Sequence, residues 1–250
     1  MSGHSKWSTI KRRKGAEDAR RGKLFTKLSR AIIIAAREGG PDLDANATLA
    51  GAIAKARSYS MPKDTIERAI ARATGGAEGS DAFEPIVYEG YGPDGVAIIV
   101  EALTDNRNRT AADVRAVFSK HNASLGTPGS VAWQFDRKGV IQLPADGVSE
   151  DDVVLTAADA GAEDAVLDGS VWQITTAPGD LAAVRDAIEA EGLAVESAEL
   201  RLVPRSTVAL GEDGARKLLR LIDGLEDLDD VQEVYANFDI PEAVLETVAG

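Results

Sequence analysis

The sequence predicts an α+β protein in which an N-terminal three-helix bundle precedes two α+β domains, one inserted into the other. Two observations predict this fold class. Apolar residues recur every three or four positions up to residue 75, and every second position after residue 80. In addition, segments 140–203 read strand, helix, strand, strand, helix, strand. The first observation indicates helices followed by sheets, and the second indicates a complete small domain within the sheet-forming part.

Three helices are predicted first. The segment 17–38 carries Leu24, Leu28, Ile32 and Ala35 on one face, and Gly39-Gly40-Pro41 ends it. A second apolar stripe predicts a helix over 47–58. The third helix begins at Pro62, a residue suited to a first helical turn, and ends before Gly75-Gly76. Short helices with modest apolar faces are typical of a small bundle.

Strand-like alternation begins after a linker at residues 75–80. The segments 85–91 and 96–103 flank the turn tripeptide Pro93-Asp94-Gly95, and a helix is predicted over 110–121. A loop at Gly126–Gly129 leads to a predicted strand over 131–135. After residue 204 the pattern predicts a short strand over 207–210, a helix over 212–225 and a strand over 231–238.

The six elements between these two parts form their own unit. Helices over 149–160 and 180–191, with strands over 140–143, 165–167, 171–176 and 195–203, follow the ferredoxin-like βαββαβ order. The pattern therefore predicts three domains. They are a basic arm and helical domain at 1–78, a discontinuous α+β domain at 79–136 plus 205–250, and an inserted ferredoxin-like domain at 137–204.

Charge is divided unevenly along the chain. Residues 1–75 hold 16 basic and 7 acidic side chains (a net of +9), whereas residues 76–250 hold 12 and 34 (a net of −22). Ten of the basic residues lie within the first 30. A basic segment ahead of an acidic body is typical of proteins that bind a polyanion at one end.

The candidate nucleic-acid contacts are the ten basic residues among residues 1–30 and one tryptophan that lies among them. Cations along an arm and helix release counterions from phosphates, and an indole stacks on an unpaired base. A solvated helix face with an unstructured tail is the competing interpretation. The predicted contacts are Lys6, Trp7, Lys11, Arg12, Arg13, Lys14, Arg20, Arg21, Lys23, Lys27 and Arg30.

The sequence offers little for catalysis, and neither a cofactor nor a metal is expected. There is no cysteine, and His4 and His121 are the only imidazoles, one in the arm and one after a helix. The densest acidic cluster is residues 223–230. Carboxylates there are able to bind Mg²⁺, but the spacing is not that of an EF-hand, so a solvated acidic face is the favoured interpretation. The short glycine-bearing loop at Gly126–Gly129 is more often a turn than a phosphate cradle.

The chain lacks an apolar run approaching the ~20 residues that span a bilayer. The N-terminus lacks the apolar region of a secretory signal. We therefore expect no membrane association and a cytoplasmic location, with nucleic acid as one partner and a protein partner at the acidic C-terminal domains.

Six motifs in order make the chain similar to a known family. They are MSGHSKWSTIKRRKG, FTKLSRAIIIAAREGG, MPKDTIERAI, YEGYGPDGVAIIVEALTDNRNRTAADVR, LGTPGSVAWQF and LEDLDDVQEVYANFDIP. The whole chain resembles the YebC family of probable transcriptional regulatory proteins, which is related to mitochondrial translational activators of cytochrome c oxidase. The resemblance implies the same three-part layout, with one ferredoxin-like domain inserted into another domain.

The resemblance also implies a non-catalytic role in gene expression. Bacterial members are described as DNA-binding transcriptional regulators, whereas ribosome-associated members bind ribosomal RNA and ease stalling at proline-rich stretches. The family motif matches Lys6, Lys11, Arg12, Lys14, Arg20, Arg21 and Lys23. This chain departs from the family at Ala31, where an acidic residue is usual, at Ala50-Gly51, and at Ser60, where Asn is common.

Overall fold

The computed structural model of the protein describes residues 18–43, 45–74, 83–241 and 244, with the side chains of 18–21 and 74 left out. Its helices are α1 (Asp18–Gly39), α2 (Ala47–Ser58), α3 (Lys63–Thr74), α4 (Arg107–Lys120), α5 (Glu150–Asp159), α6 (Leu181–Ala190) and α7 (Glu212–Glu226). Its strands are β1 (Glu84–Tyr91), β2 (Ala97–Thr104), β3 (Ser124–Leu125), β4 (Phe135–Pro144), β5 (Asp164–Asp168), β6 (Val171–Thr176), β7 (Ser197–Pro204), β8 (Val208–Ala209), β9 (Val231–Ala236) and β10 (Phe238–Asp239). The predicted α+β class with three N-terminal helices is confirmed.

The three N-terminal helices share one apolar core. Leu28, Ile32 and Leu49 are among its buried side chains. Gly40 follows α1 with φ +83°, a left-handed conformation that ends the helix at low cost. The buried Asn46 caps α2 by accepting from the Leu49 amide at 3.0 Å, and it donates to the Ala35 carbonyl at 2.8 Å. This amide therefore ties the start of α2 to the end of α1.

A four-stranded sheet of order β3-β1-β2-β9 follows the helices. β1 and β2 pair antiparallel from Glu84↔Thr104 to Tyr91↔Ala97, and β2 pairs antiparallel with β9. One face of the sheet is covered by α4 and α7, whose buried Phe118 and Leu218 join Ile98 in a second core. The sheet thus brings the end of α7 and the start of β9 beside β2.

The ferredoxin-like order is seen in the sheet β5-β6-β4-β7. In a βαββαβ unit this places the second, third, first and fourth strands side by side. α5 and α6 pack on it through a third core that includes Ile141, Trp172 and Ile188. Phe135–Val203 forms one compact unit, and the described residues of 2–134 and 204–250 form another. The predicted boundaries of three domains stay a prediction.

Four predicted elements differ from the structure. The predicted strand over 140–143 begins five residues earlier, at Phe135, and ends at Pro144 as β4. The predicted strand over 131–135 is wrong: Ala132–Gln134 is a short 3₁₀ turn, and β4 begins at Phe135. The predicted helix over 110–121 begins earlier, because the Asn106 side chain accepts from the Arg109 amide at 3.1 Å and caps α4. The predicted strand over 231–238 is interrupted at Asn237, whose side chain accepts from the Ala97 amide at 2.7 Å.

None of the helices in the described part of the chain is long and apolar enough to cross a bilayer.

Candidate nucleic-acid interface

The basic face of α1 meets the C-terminal end of α7 and the loop after it. Lys23 Nζ donates to the Asp227 carbonyl at 3.2 Å, and Lys27 Nζ donates to the Glu226 carbonyl at 2.5 Å. The last carbonyls of a helix have no intrahelical partner and carry the negative end of its dipole. Two cations four positions apart on α1 therefore satisfy carbonyls at the end of α7.

Arg30 completes this contact with two hydrogen bonds. Its guanidinium donates to the Asp229 carbonyl at 2.7 Å and to the Asp230 carboxylate at 2.9 Å. The same guanidinium lies over the Phe83 ring, with its carbon 5.0 Å from the ring centroid. Arg30 is thus held by a carboxylate, a carbonyl and an aromatic face.

Asp230 is the centre of a buried polar network. Its carboxylate also accepts from Arg109 at 2.9 Å and from the Thr110 hydroxyl at 2.7 Å. Burial acts to raise the pKa of Asp230, but the hydrogen bonds from Arg109 and Thr110, with the charges of Arg109 and Arg30, hold it below the usual value. The interaction with Asp230 raises the pKa of Arg109 further above its normal range. The carboxylate is therefore ionised and joins α1, α4 and the start of β9.

Burial lowers the pKa of Lys27, and the carboxylates of Glu226, Glu233, Asp229 and Asp227 oppose that shift without cancelling it. Beside it, Lys55 of α2 forms an ion pair with Glu233 of β9. The helical bundle is thus attached to the first sheet by ion pairs on two of its helices.

The sequence-predicted site residues fall into three groups. Lys6, Trp7, Lys11, Arg12, Arg13 and Lys14 lie outside the described residues. Arg20 and Arg21 lie on α1, but their side chains are outside the described set. The structure brings the remaining three, Lys23, Lys27 and Arg30, together on α1 against α7. Their contact with nucleic acid stays a prediction.

The acidic cluster at residues 223–230 is not the uniformly solvated face that the sequence favours. Asp227 and Asp229 are exposed, but Asp230 is buried within its network. The expectation fails there because two arginines and a threonine converge on that one carboxylate. In the described ranges, no three or more His, Cys, Asp or Glu side chains gather where they could hold a metal ion.

His121 caps the C-terminus of α4 and is half-buried. Burial, helped by the charges of Lys120 and Arg220, lowers the pKa of its imidazole. In the part of the chain that the structure describes, no carboxylate is hydrogen-bonded to this imidazole, so His121 has the environment of a helix cap.

Sequence reasoning missed a second ordered feature, the loop after β3. The buried Glu89 carboxylate accepts from the backbone amides of Gly129, Val131 and Ala132 at 2.6, 2.7 and 2.8 Å. Burial raises the pKa of Glu89, but these three hydrogen bonds outweigh it and lower the pKa overall. The loop carries the exposed Trp133. The sequence signal is Glu89 itself, the one charged residue in the strand-like stretch 85–91.

Comparison with known proteins gives matches along almost the entire chain. The N-terminal domain model of the TACO1/YebC protein matches residues 5–76, and the model of the TACO1/YebC second and third domains matches residues 83–238. A "Probable transcriptional regulatory protein" of Rubrobacter xylanophilus is 58% identical over 250 residues, with 100% of each chain covered. One of Acidothermus cellulolyticus is 55% identical over 248 residues, covering 99% of this chain and 100% of the relative.

A solved structure is also similar. The crystal structure of a conserved hypothetical protein from Aquifex aeolicus superposes with a TM-score of 0.82 at 48% sequence identity. The match covers 90% of this chain and 93% of the other.

Proposed function

This chain belongs to the TACO1/YebC family, and from that premise we propose that it is a non-catalytic regulator of gene expression that binds nucleic acid. We infer that it acts in the cytoplasm as a DNA-binding transcriptional regulator. Its relatives from Rubrobacter xylanophilus and Acidothermus cellulolyticus are named as probable transcriptional regulatory proteins. The observation that carries the proposal is the charge division, with ten basic residues in the first 30 ahead of a strongly acidic remainder. The acidic remainder is repelled by phosphates and is left to meet a protein partner.

The contact proposed for phosphates is the N-terminal arm with the first turn of α1. Lys23, Lys27 and Arg30 already donate to acceptors of this chain, so a polyanion has to compete for them. Lys6, Lys11, Arg12, Arg13, Lys14, Arg20 and Arg21 carry the remaining positive charge of residues 1–30. Backbone contacts of this kind supply affinity without reading bases.

The second candidate function is a ribosome-associated translation factor that binds ribosomal RNA. The docking of α1 favours it, because a recognition helix in a DNA groove must present free side chains to base edges. The side chains of Lys23, Lys27 and Arg30 are instead directed at the end of α7 and its following loop. Electrostatic contact by an arm serves RNA as well as DNA.

The salt dependence of binding tests the proposal. The full chain and a variant with Lys11, Arg12, Arg13 and Lys14 all changed to Ala are titrated against duplex DNA and against ribosomes over a range of salt. We expect the slope of log K against log salt to fall by up to about four units in the variant, since each lost phosphate contact removes roughly 0.9.

A matched control removes the same charge elsewhere. Arg115 and Lys120 of α4, with Lys217 and Arg220 of α7, are exposed, and their combined change to Ala should leave the slope within about one unit of the wild-type slope. Tighter binding to ribosomes than to duplex DNA at near-physiological salt would select the translation factor. Equal slopes for the arm variant and the wild type would remove the arm from the mechanism.

A further inference from the structure

Two exposed aromatic side chains share one hydrogen-bond acceptor at the loop after β3. Tyr91, at the end of β1, is 37% exposed, and Trp133 in the 3₁₀ turn is 66% exposed. The Tyr91 hydroxyl donates to the Ser130 carbonyl at 2.9 Å, and Trp133 Nε1 donates to the same oxygen at 3.1 Å. A carbonyl has two lone pairs, so it accepts both. The polar edge of each ring is thereby fixed, and the remainder of each ring is available to solvent.

The backbone of the loop that carries Trp133 is fixed by hydrogen bonds to Glu89 of β1. The buried Glu89 carboxylate accepts from the backbone amides of Gly129, Val131 and Ala132, and the Glu89 carbonyl accepts from the Gly126 amide at 2.7 Å. Glu89 and Tyr91 lie two positions apart on β1, so their side chains project from the same face of the sheet. A site whose aromatic groups are fixed before binding loses less conformational entropy when a ligand arrives.

The loop that carries Trp133 is itself uncharged, and the Glu89 carboxylate beside it is buried and held by three backbone amides. Residues 122–134 contain no charged side chain, although 28% of the whole chain is charged and its net charge is −13. Phosphates are therefore not repelled by this segment as they are by most of the acidic remainder. The bases have flat π-faces that stack on Trp and Tyr regardless of sequence.

A protein partner fits the same surface less well. A stable protein interface buries about 800 Å² on each side around an apolar centre. Apart from Tyr91, the described residues of β1 include one exposed large apolar side chain, Val87. The exposed apolar surface beside Trp133 and Tyr91 is thus small for a protein and sufficient for one or two bases.

We propose that Trp133 and Tyr91 form a stacking platform for an unpaired base of single-stranded nucleic acid. The platform deepens the proposed function and rests on it, since the basic arm supplies the phosphate affinity that a single stacked base lacks. The platform uses no residue of the arm, and it assigns to this loop the discrimination between unpaired and paired nucleic acid.

The test measures the preference of the full chain for bases over phosphates. Fluorescence anisotropy is recorded with a labelled single-stranded oligouridine of about 16 nucleotides and with an abasic strand of the same length and charge. Wild-type protein should prefer the oligouridine. Trp133→Ala should reduce that preference by about five-fold to about a hundred-fold, the range that loss of one stacked base gives, with abasic binding unchanged.

Two further variants keep the result interpretable. Trp133→Phe retains an aromatic ring and should retain most of the preference, which also shows that the loop still folds. Leu155→Ala removes a side chain that is 63% exposed on α5 and should behave as wild type.

The outcomes separate the two proposals. The platform is overturned, while the function of the arm stands, if Trp133→Ala loses affinity equally for the oligouridine and the abasic strand. It is also overturned if Trp133→Ala binds oligouridine as tightly as wild type does. That result is the one expected if the surface docks a protein. Failure of the wild-type chain to bind either strand, duplex DNA or ribosomes overturns the proposed function and the platform with it.

Discussion

The Asp230 carboxylate accepts hydrogen bonds from side chains of two different helices, and its position explains this. It is the last residue before β9, and it is buried where α1, α4 and β2 converge. Its own carbonyl accepts from the Leu103 amide of β2 at 2.8 Å, while its carboxylate accepts from Arg30, Arg109 and Thr110. Buried ion pairs add little net stability over apolar packing, but removing one partner is costly. This network therefore specifies which surfaces of α1 and the sheet meet.

We expect Asp230→Asn to lower the free energy of unfolding by about 2–3 kcal/mol, because it leaves two arginines facing a neutral group. Urea unfolding at neutral pH measures the change. Asp229→Asn is the matched control: its exposed side chain has no comparable contact, and its carbonyl still accepts from Arg30, so the expected change is within about 0.5 kcal/mol.

The difference in the free energy of unfolding between wild type and Asp230→Asn should depend on pH. The pKa of Asp230 is lower in the folded protein than the ~3.9 of an unfolded aspartate. Its stabilisation is therefore complete above about pH 5, about one unit above the unfolded pKa, and is lost as the pH falls through the folded pKa. The gap between wild type and Asp230→Asn should be constant between about pH 5 and 7 and shrink below about pH 4. A gap that stays constant into acid would contradict the role of the charge.

Ser60 and Asn122 occupy equivalent positions one residue after the C-caps of α2 and α4. Both are left-handed, with φ +58° and +54°. Asn tolerates this conformation better than other non-glycine residues, which agrees with the Asn that the family resemblance implies at residue 60. We expect Ser60→Asn to raise the free energy of unfolding and Asn122→Ser to lower it, each by up to about 1 kcal/mol. Thermal unfolding measures these changes as a higher and a lower midpoint temperature. Shifts of the same sign in both variants would show that φ is not the cause.

At the scale of elements, the loop after β3 shows where sequence patterns stop being informative. Val131, Trp133 and Phe135 alternate with smaller residues, and the alternation predicts a strand. The backbone amides that a strand would give to a neighbour are instead taken by the side chain of Glu89, 40 or more residues earlier in the chain. A long-range acceptor of this kind leaves no local signal, whereas α2 and β6 were predicted at their observed bounds because their caps and turns are local.

Glu89→Gln should open this loop. Glutamine offers one carbonyl oxygen, and its amide nitrogen would face backbone donors, so at least one buried N–H loses its acceptor at a cost of about 1–3 kcal/mol. Hydrogen exchange of a peptide spanning residues 126–134 should accelerate by about tenfold or more. Glu84→Gln, on the same strand but half-buried beside Arg107, should leave exchange in the loop unchanged. Equal protection in the two variants would contradict the role of the Glu89 carboxylate.

At the scale of the whole molecule, the predicted binding face of α1 turned out to have partners within the chain. The spacing of Lys23, Lys27 and Arg30 predicts correctly that they share a face, because helical periodicity is local. Their acceptors lie about 200 residues away, and only the folded chain brings the two segments together. A basic helix beside an acidic segment in one sequence is thus compatible with internal docking as well as with polyanion binding.

Internal docking makes a quantitative prediction about nucleic-acid binding. If α1 stays on α7 when nucleic acid binds, Lys23 and Lys27 do not release counterions from phosphates. The double change Lys23→Ala and Lys27→Ala should then leave the salt slope within about half a unit of wild type, while the arm variant loses up to about four. A loss near two units in the double variant would mean that the polyanion draws α1 away from α7. In that case the acidic end of α7 would act as an internal competitor for the helix, and Asp230→Asn, which weakens the same contact, should tighten nucleic-acid binding rather than leave it unchanged.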